Sequence, residues 1–154
     1  MIRPVLVLGW GNRSRGDDAL GPLCVDRLRD EMAGRADIEF LDDYQLMVEH
    51  VLDLHGRRCV LLVDASLGCA PPFETLALRA AADGSISSHS LSPQALLQLY
   101  FELHDEDAPP CTLLAIRGEQ FELGAAPGAA ALAHLDAALV WARRWLARTA
   151  VEHA

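Results

Sequence analysis

Residues 5–22 constrain this chain more than any other stretch. Val5-Leu6-Val7-Leu8 is an unbroken apolar run, the pattern of a strand covered on both faces of a parallel sheet, where alternation is lost. Gly9, Gly11 and Gly16 then end the strand and permit backbone angles closed to other residues. Leu20, Leu23, Cys24, Leu28 and Met32 follow at the spacing of one helix face. Pro22 suits the first helical turn, where its missing N–H costs nothing. The order is therefore strand, glycine turn, helix, with Asp17 and Asp18 in the approach loop or first turn.

The rest of the chain repeats this alternation. Residues 38–41 read as a short strand, 45–54 as a helix carrying Leu46, Met47, Val51 and Leu54, and 59–63 as a second buried strand ended by Asp64. A turn region at 65–72 contains Gly68, Pro71 and Pro72, and residues 75–78 suit an edge strand. Ser92 can cap a helix that has Pro93 at its first position and continues to Leu103. Residues 111–116 read as a strand, 118–128 as irregular, and 129–146 as a last helix with Leu132, Leu135, Leu139 and Leu146 inward. This alternation predicts a single α/β domain over residues 1–154, a three-layer α/β/α sandwich around a mostly parallel sheet of about five strands.

Composition narrows the function. The net charge is −9 with no basic run, which argues against nucleic acid or an anionic membrane surface as partner. No apolar run reaches bilayer length, and the amino terminus leads directly into a strand, so the expectation is a soluble, cytoplasmic protein. Cys24, Cys59, Cys69 and Cys111 lack Cys-x-x-Cys spacing and sit mostly in apolar segments, as buried reduced thiols do.

The predicted topology puts Asp18 and Asp64 outside the carboxyl ends of parallel strands, where open α/β sheets build ligand crevices. Asp64, closing an apolar strand, needs a partner or water; it is either a turn cap or a crevice carboxylate. Asp17 and Asp18 are each a helix cap or a crevice group. Of six histidines, five fall on helix surfaces or in the tail. His89 lies in the polar loop 85–90 before a capped helix, either as a surface residue or as a ligand. Two Asp and one His from separate loops form a suitable metal set. Gly9 and Gly11 give only a broken dinucleotide fingerprint, and Walker A, His-Glu-x-x-His and Gly-x-Ser-x-Gly patterns are absent.

Gly9-Trp10-Gly11-Asn12, Gly16-Asp17-Asp18 and Gly21-Pro22 resemble the amino-terminal signature of the hydrogenase maturation proteases, which trim the large subunit of nickel-iron hydrogenases. The likeness continues through Leu61-Leu62-Val63-Asp64-Ala65, Ser87-Ser88-His89 before the Leu96-Leu97 helix, and Leu113-Leu114-Ala115-Ile116, in order along almost the whole chain. The stretch from Arg15 to Pro22, together with Asp43 to His50, is similar to the subgroup serving cytoplasmic, NAD-coupled hydrogenases. Ala19 stands where many relatives have glycine, and Ile116-Arg117-Gly118 replaces a more usual proline-containing turn.

The resemblance implies that Asp18, Asp64 and His89 bind a metal, and that this ion is nickel already seated in the large-subunit precursor. It implies cleavage of a carboxyl-terminal peptide from that precursor once nickel is in place. Three protein ligands leave open positions for water or a substrate group. Either the ion or a free carboxylate such as Asp17 would activate the attacking water. The protein is expected to act as a monomer. Two rival readings use the same residues: a nickel-sensing or chaperone module without peptidase activity, and a nucleotide-binding α/β protein.

Overall fold

The computed structural model describes residues 1–81 and 91–152, and side chains as far as residue 150. Among the described residues the helices and strands follow in the order β1 (Val5–Trp10), α1 (Leu20–Glu31), β2 (Ile38–Asp43), α2 (His50–Leu54), β3 (Cys59–Ser66), β4 (Phe73–Ala77), α3 (Pro93–His104), β5 (Cys111–Arg117) and α4 (Ala129–Glu152). A 3-10 turn at Gly16–Ala19 leads into α1.

The strands form one sheet in the order β2-β1-β3-β5-β4. β1 pairs in parallel with β2 and β3, with Val5 opposite both Ile38 and Cys59. β3 pairs in parallel with β5, and β4 closes the far edge antiparallel. Val5, Leu6, Val7 and Leu8 are fully buried because both faces are covered. Val5, Val7, Leu61, Val63, Leu114 and Ile116 meet α1 and α4 on one side. Leu6, Leu8, Val60 and Leu62 meet Val51 and Leu54 of α2 and Leu96, Leu97 and Tyr100 of α3 on the other. The expected three-layer α/β/α arrangement is therefore present. Each such side chain contributes roughly 1.5–3 kcal/mol by leaving water, so Leu61→Ala alone would remove a sizeable share of a typical domain's stability.

Glycine sets how closely the first helix approaches. A Cβ on Gly9 would lie 2.6 Å from the Gly21 carbonyl oxygen, and one on Gly21 would lie 2.4 Å from that of Trp10. Two glycines in register thus seat the start of α1 against the end of β1. Across the helices, Arg143 makes a two-pronged ion pair to Glu31 at 2.7 Å.

Several expectations need correction. β3 runs on to Ser66, because Asp64, Ala65 and Ser66 keep pairing with β5, so Asp64 lies within the strand rather than ending it. Residues 45–49 are not helical; α2 begins only at His50. Leu132 is exposed, because Ala131, Leu135, Ala138, Leu139 and Ala142 form the inward face of α4. α4 also extends past residue 146 to Glu152. The caps fared better: Ser92 Oγ accepts the Ala95 N–H at 3.1 Å with Pro93 at the first position. None of the four cysteines is in a disulfide. Among the described residues no helix is long and apolar enough to cross a membrane.

Candidate active-site cleft

A cleft of about 220 Å³ opens at the carboxyl ends of β1 and β3, lined among others by Trp10, Asn12, Arg15, Asp18, Asp64 and Leu91. Each acid arrives by its own local route. The chain leaves β1 at Gly11, whose φ of +148° and 1.9 Å approach of a would-be Cβ to the Asp18 carbonyl oxygen admit only glycine. It then folds back through the 3-10 turn, and Asp18 Oδ2 accepts the Asn12 N–H at 2.8 Å. Asp64 reaches the same cleft from within β3, where strand alternation puts it on the face of Val60 and Leu62.

Asp64 responds to its burial and to its neighbour. Burial, and then the charge of Asp18, push the Asp64 carboxyl up to about 7, against the opposing Ala65 N–H and Trp10 side chain. A group so placed binds a proton near neutrality, or a cation in its place. Two oxygen donors with a destabilised charge between them therefore fit a metal ion chemically. Among the described residues no group of three His, Cys, Asp or Glu is placed to hold one. The expected third ligand, His89, lies outside the described residues.

Asp17 is drawn elsewhere. It is 1% exposed, and its carboxylate accepts N–H bonds from Glu119 at 2.8 Å, Gln120 at 3.1 Å and Gly128 at 2.8 Å. Burial alone would raise its pKa, but these donors and nearby His134 outweigh it and hold the carboxyl below the usual range. Adjacent residues of one 3-10 turn thus face opposite ways: Asp18 toward the cleft, Asp17 into the 118–128 loop.

Sequence reasoning placed His50 on a helix surface, yet it is buried. Its Nδ1 accepts the Met47 N–H at 2.8 Å, and its Nε2 stands 3.1 Å from Asp43 Oδ2. It thereby pins the segment carrying Tyr44, Gln45 and Leu46, which form one wall of the cleft. The apolar flank of Leu46, Val51 and Leu54 was the available signal. The rim groups also escaped notice: Asn12 donates through Nδ2 to the Tyr44 hydroxyl at 2.8 Å, and Arg15 is held by Nε to the Phe121 carbonyl at 3.0 Å.

No family model matches the chain, and no curated protein matches it. Solved structures do. The hydrogenase maturating endopeptidase HybD of Escherichia coli superposes with a TM-score of 0.74 at 24% identity, covering 94% of this chain and 93% of its own. The nickel-iron hydrogenase maturation protease HycI of Thermococcus kodakarensis KOD1 gives 0.69 at 21% identity over 90% and 89% of the two chains. The hydrogenase 2 maturation peptidase of the Thaumarchaeota archaeon SCGC_AB-539-E09 gives 0.68 at 22% over 93% and 97%. Over nearly its full length, this chain has the fold of the nickel-iron hydrogenase maturation proteases.

Proposed function

We propose that this protein is a hydrogenase maturation endopeptidase. It removes a carboxyl-terminal peptide from the precursor of a nickel-iron hydrogenase large subunit after nickel has been inserted, and it reads the ion through Asp18, Asp64 and His89. The observation that carries this reading is the Asp18–Asp64 pair in one cleft, with Asp64 raised to about 7. A carboxylate held in that state gains by sharing a cation, and its neighbour supplies a second oxygen ligand. His89 joins the set through the resemblance of Ser87-Ser88-His89 to that family. The nickel belongs to the substrate, so cleavage would follow only a completed insertion. The reading places a monomeric enzyme in the cytoplasm, where it meets its precursor.

Asp17 is assigned the loop anchor rather than the base, because its three N–H bonds depress its proton affinity. Water activation then rests with the ion and the Asp18–Asp64 pair. The nucleotide-binding rival loses support, because the Asn12 N–H, the turn donor a phosphate would take, is occupied by Asp18.

The deciding experiment incubates purified protein with nickel-loaded and nickel-free precursor and weighs the products by mass spectrometry. Shortening of the loaded form alone is expected, and Asp18→Ala, Asp64→Ala and His89→Ala should each lose at least a hundredfold in rate while remaining folded. Binding of loaded precursor without any cleavage would replace this reading with the sensor or chaperone one.

A further inference from the structure

The two edges of the sheet are finished differently. On β2 the outward carbonyls of Ile38 and Phe40 are capped by Arg3 at 2.9 Å and Arg29 at 3.1 Å, and Arg57 pairs with Glu39 beside them. Such charged cover is how sheet edges are kept from pairing with other chains.

The β4 edge carries no such cover among the described residues. Its parity follows from two bonds beyond its ends: Arg117 N–H donates to the Pro72 carbonyl at 3.1 Å, and Leu78 N–H donates to that of Cys111 at 2.9 Å. In an antiparallel ladder, bonded pairs recur every second residue. Glu74 and Leu76, opposite Ala115 and Leu113, therefore turn their backbone groups toward β5, while Phe73, Thr75 and Ala77 turn theirs outward. Those outward groups have no hydrogen-bond partner among the described residues.

This edge is continuous with the cleft face. Ala115 lies opposite Asp64 on one side and Glu74 on the other, making one row across the sheet. A groove of about 410 Å³ lies at the Ala115–Glu74 end of that row, with Ser66, Cys69, Glu74, Leu76, Leu113 and Ala115 in its walls. The small side chain of Ala115 keeps its floor low. Among the described residues Glu74 is the one charged side chain lining it, so the groove favours a neutral or basic guest.

We propose that the outward edge of β4 docks an extended, neutral or basic segment of the protein substrate, which crosses the groove to reach the Asp64 cleft. Outward N–H and C=O groups in alternation specify an added strand as the guest. A strand added there lies three strand spacings, about 14 Å, from Asp64, a reach of about four extended residues. The docked segment is thus separate from the bond that is cut. A second copy of this chain is a poor occupant, because a strand of five residues pairing alone falls well short of the roughly 1,200 Å² of a stable interface. The identity of the guest rests on the endopeptidase reading.

The test follows amide hydrogen exchange in the full chain, with and without a synthetic peptide spanning the cleavage position and carboxyl-terminal extension of the large-subunit precursor. Glu74 and Leu76 amides should be slow throughout. Phe73, Thr75 and Ala77 should exchange fast in the free protein and at least tenfold more slowly with peptide. Thr75→Pro removes the central outward donor, a change edge strands tolerate; it should raise KM for precursor about tenfold and leave kcat unchanged. Leu76→Lys, which alters only the groove, should act in the same direction and serves if the proline variant unfolds.

Protection of the three amides in the free protein would overturn the proposal, whether residues 82–90 or a second copy cover the edge; sedimentation separates these occupants. Cleavage of precursor with the edge still exchanging fast would overturn docking and keep the endopeptidase reading. Peptide-induced protection together with no cleavage of nickel-loaded precursor would keep docking and remove that reading, and neither effect would remove both.

Discussion

Asp17 and Gly128 stand 111 residues apart in sequence and are joined by a 2.8 Å hydrogen bond, the Gly128 N–H donating to Asp17 Oδ1. With Glu119 and Gln120 donating to the other oxygen, one side chain secures both ends of the loop before α4. Asp17→Ala would strand three donors, each worth about 1–3 kcal/mol when left unpaired in the interior. We expect it to destabilise the protein by at least ~3 kcal/mol in urea unfolding, and Asp17→Asn by less. The wild-type anchor is complete above 3.8 and is lost as pH falls through its lower folded pKa. A loss under ~1 kcal/mol for Asp17→Ala would remove the anchoring role.

Asp64 behaves in the opposite sense. Its carboxyl rises from 3.8 to about 7 on folding, so the folded state binds the extra proton. Its stabilising contribution is complete below 3.8 and disappears as pH climbs through 7. By pH 8 the ionised group opposes folding by up to ~4 kcal/mol, a ceiling that solvent screening lowers. Metal-free Asp64→Asn should therefore melt higher than wild type at pH 8, and the two should converge near pH 4. Thermal melts across this range measure it; equal melting at pH 8 would contradict the burial argument.

The glycine pair that seats α1 offers a steric test. Gly9→Ala and Gly21→Ala each drive a methyl against backbone oxygen at 2.6 and 2.4 Å, and backbone yields poorly. Losses of roughly 2–3 kcal/mol or more are expected. Gly34→Ala, whose Cβ would meet nothing within 4 Å, should stay within ~0.5 kcal/mol of wild type. Denaturant midpoints with unchanged slopes would establish the contrast.

Nickel retention examines the order of events. The proposed set of two carboxylates and an imidazole lacks the thiolates that hold borderline ions most tightly. Equilibrium dialysis of the isolated protein against a chelator should leave far less than one nickel per chain. Stoichiometric nickel surviving that treatment, with loaded and nickel-free precursor cut equally fast, would indicate a self-contained metallopeptidase.

The strands β1, β3 and β5 were legible because burial on both faces leaves apolar runs that local reading detects, and Ser92-Pro93 marked α3 because capping is local chemistry. Strand order, which the alternation of elements supplied, put Asp18 and Asp64 at one crevice, and both line the same cleft. What escaped depends on partners distant in sequence. Helical spacing suited residues 45–54, but the bonds of His50 to Met47 and Asp43 hold the first half as a turn. The inward face of α4 includes Ala131, Ala138 and Ala142, which are too weakly apolar to stand out in the sequence, and Leu132 falls outside it. Nothing near Asp17 announced that its acceptors serve amides more than a hundred residues downstream.

Because Asp17 grips only main-chain N–H groups, it is blind to the side chains at the positions it holds. Glu119, exposed at the turn after β5, can therefore change to any residue but proline and keep its place. A lineage could rewrite the chemistry that this loop presents to a partner one residue at a time, with the loop's attachment to the first turn untouched by each change.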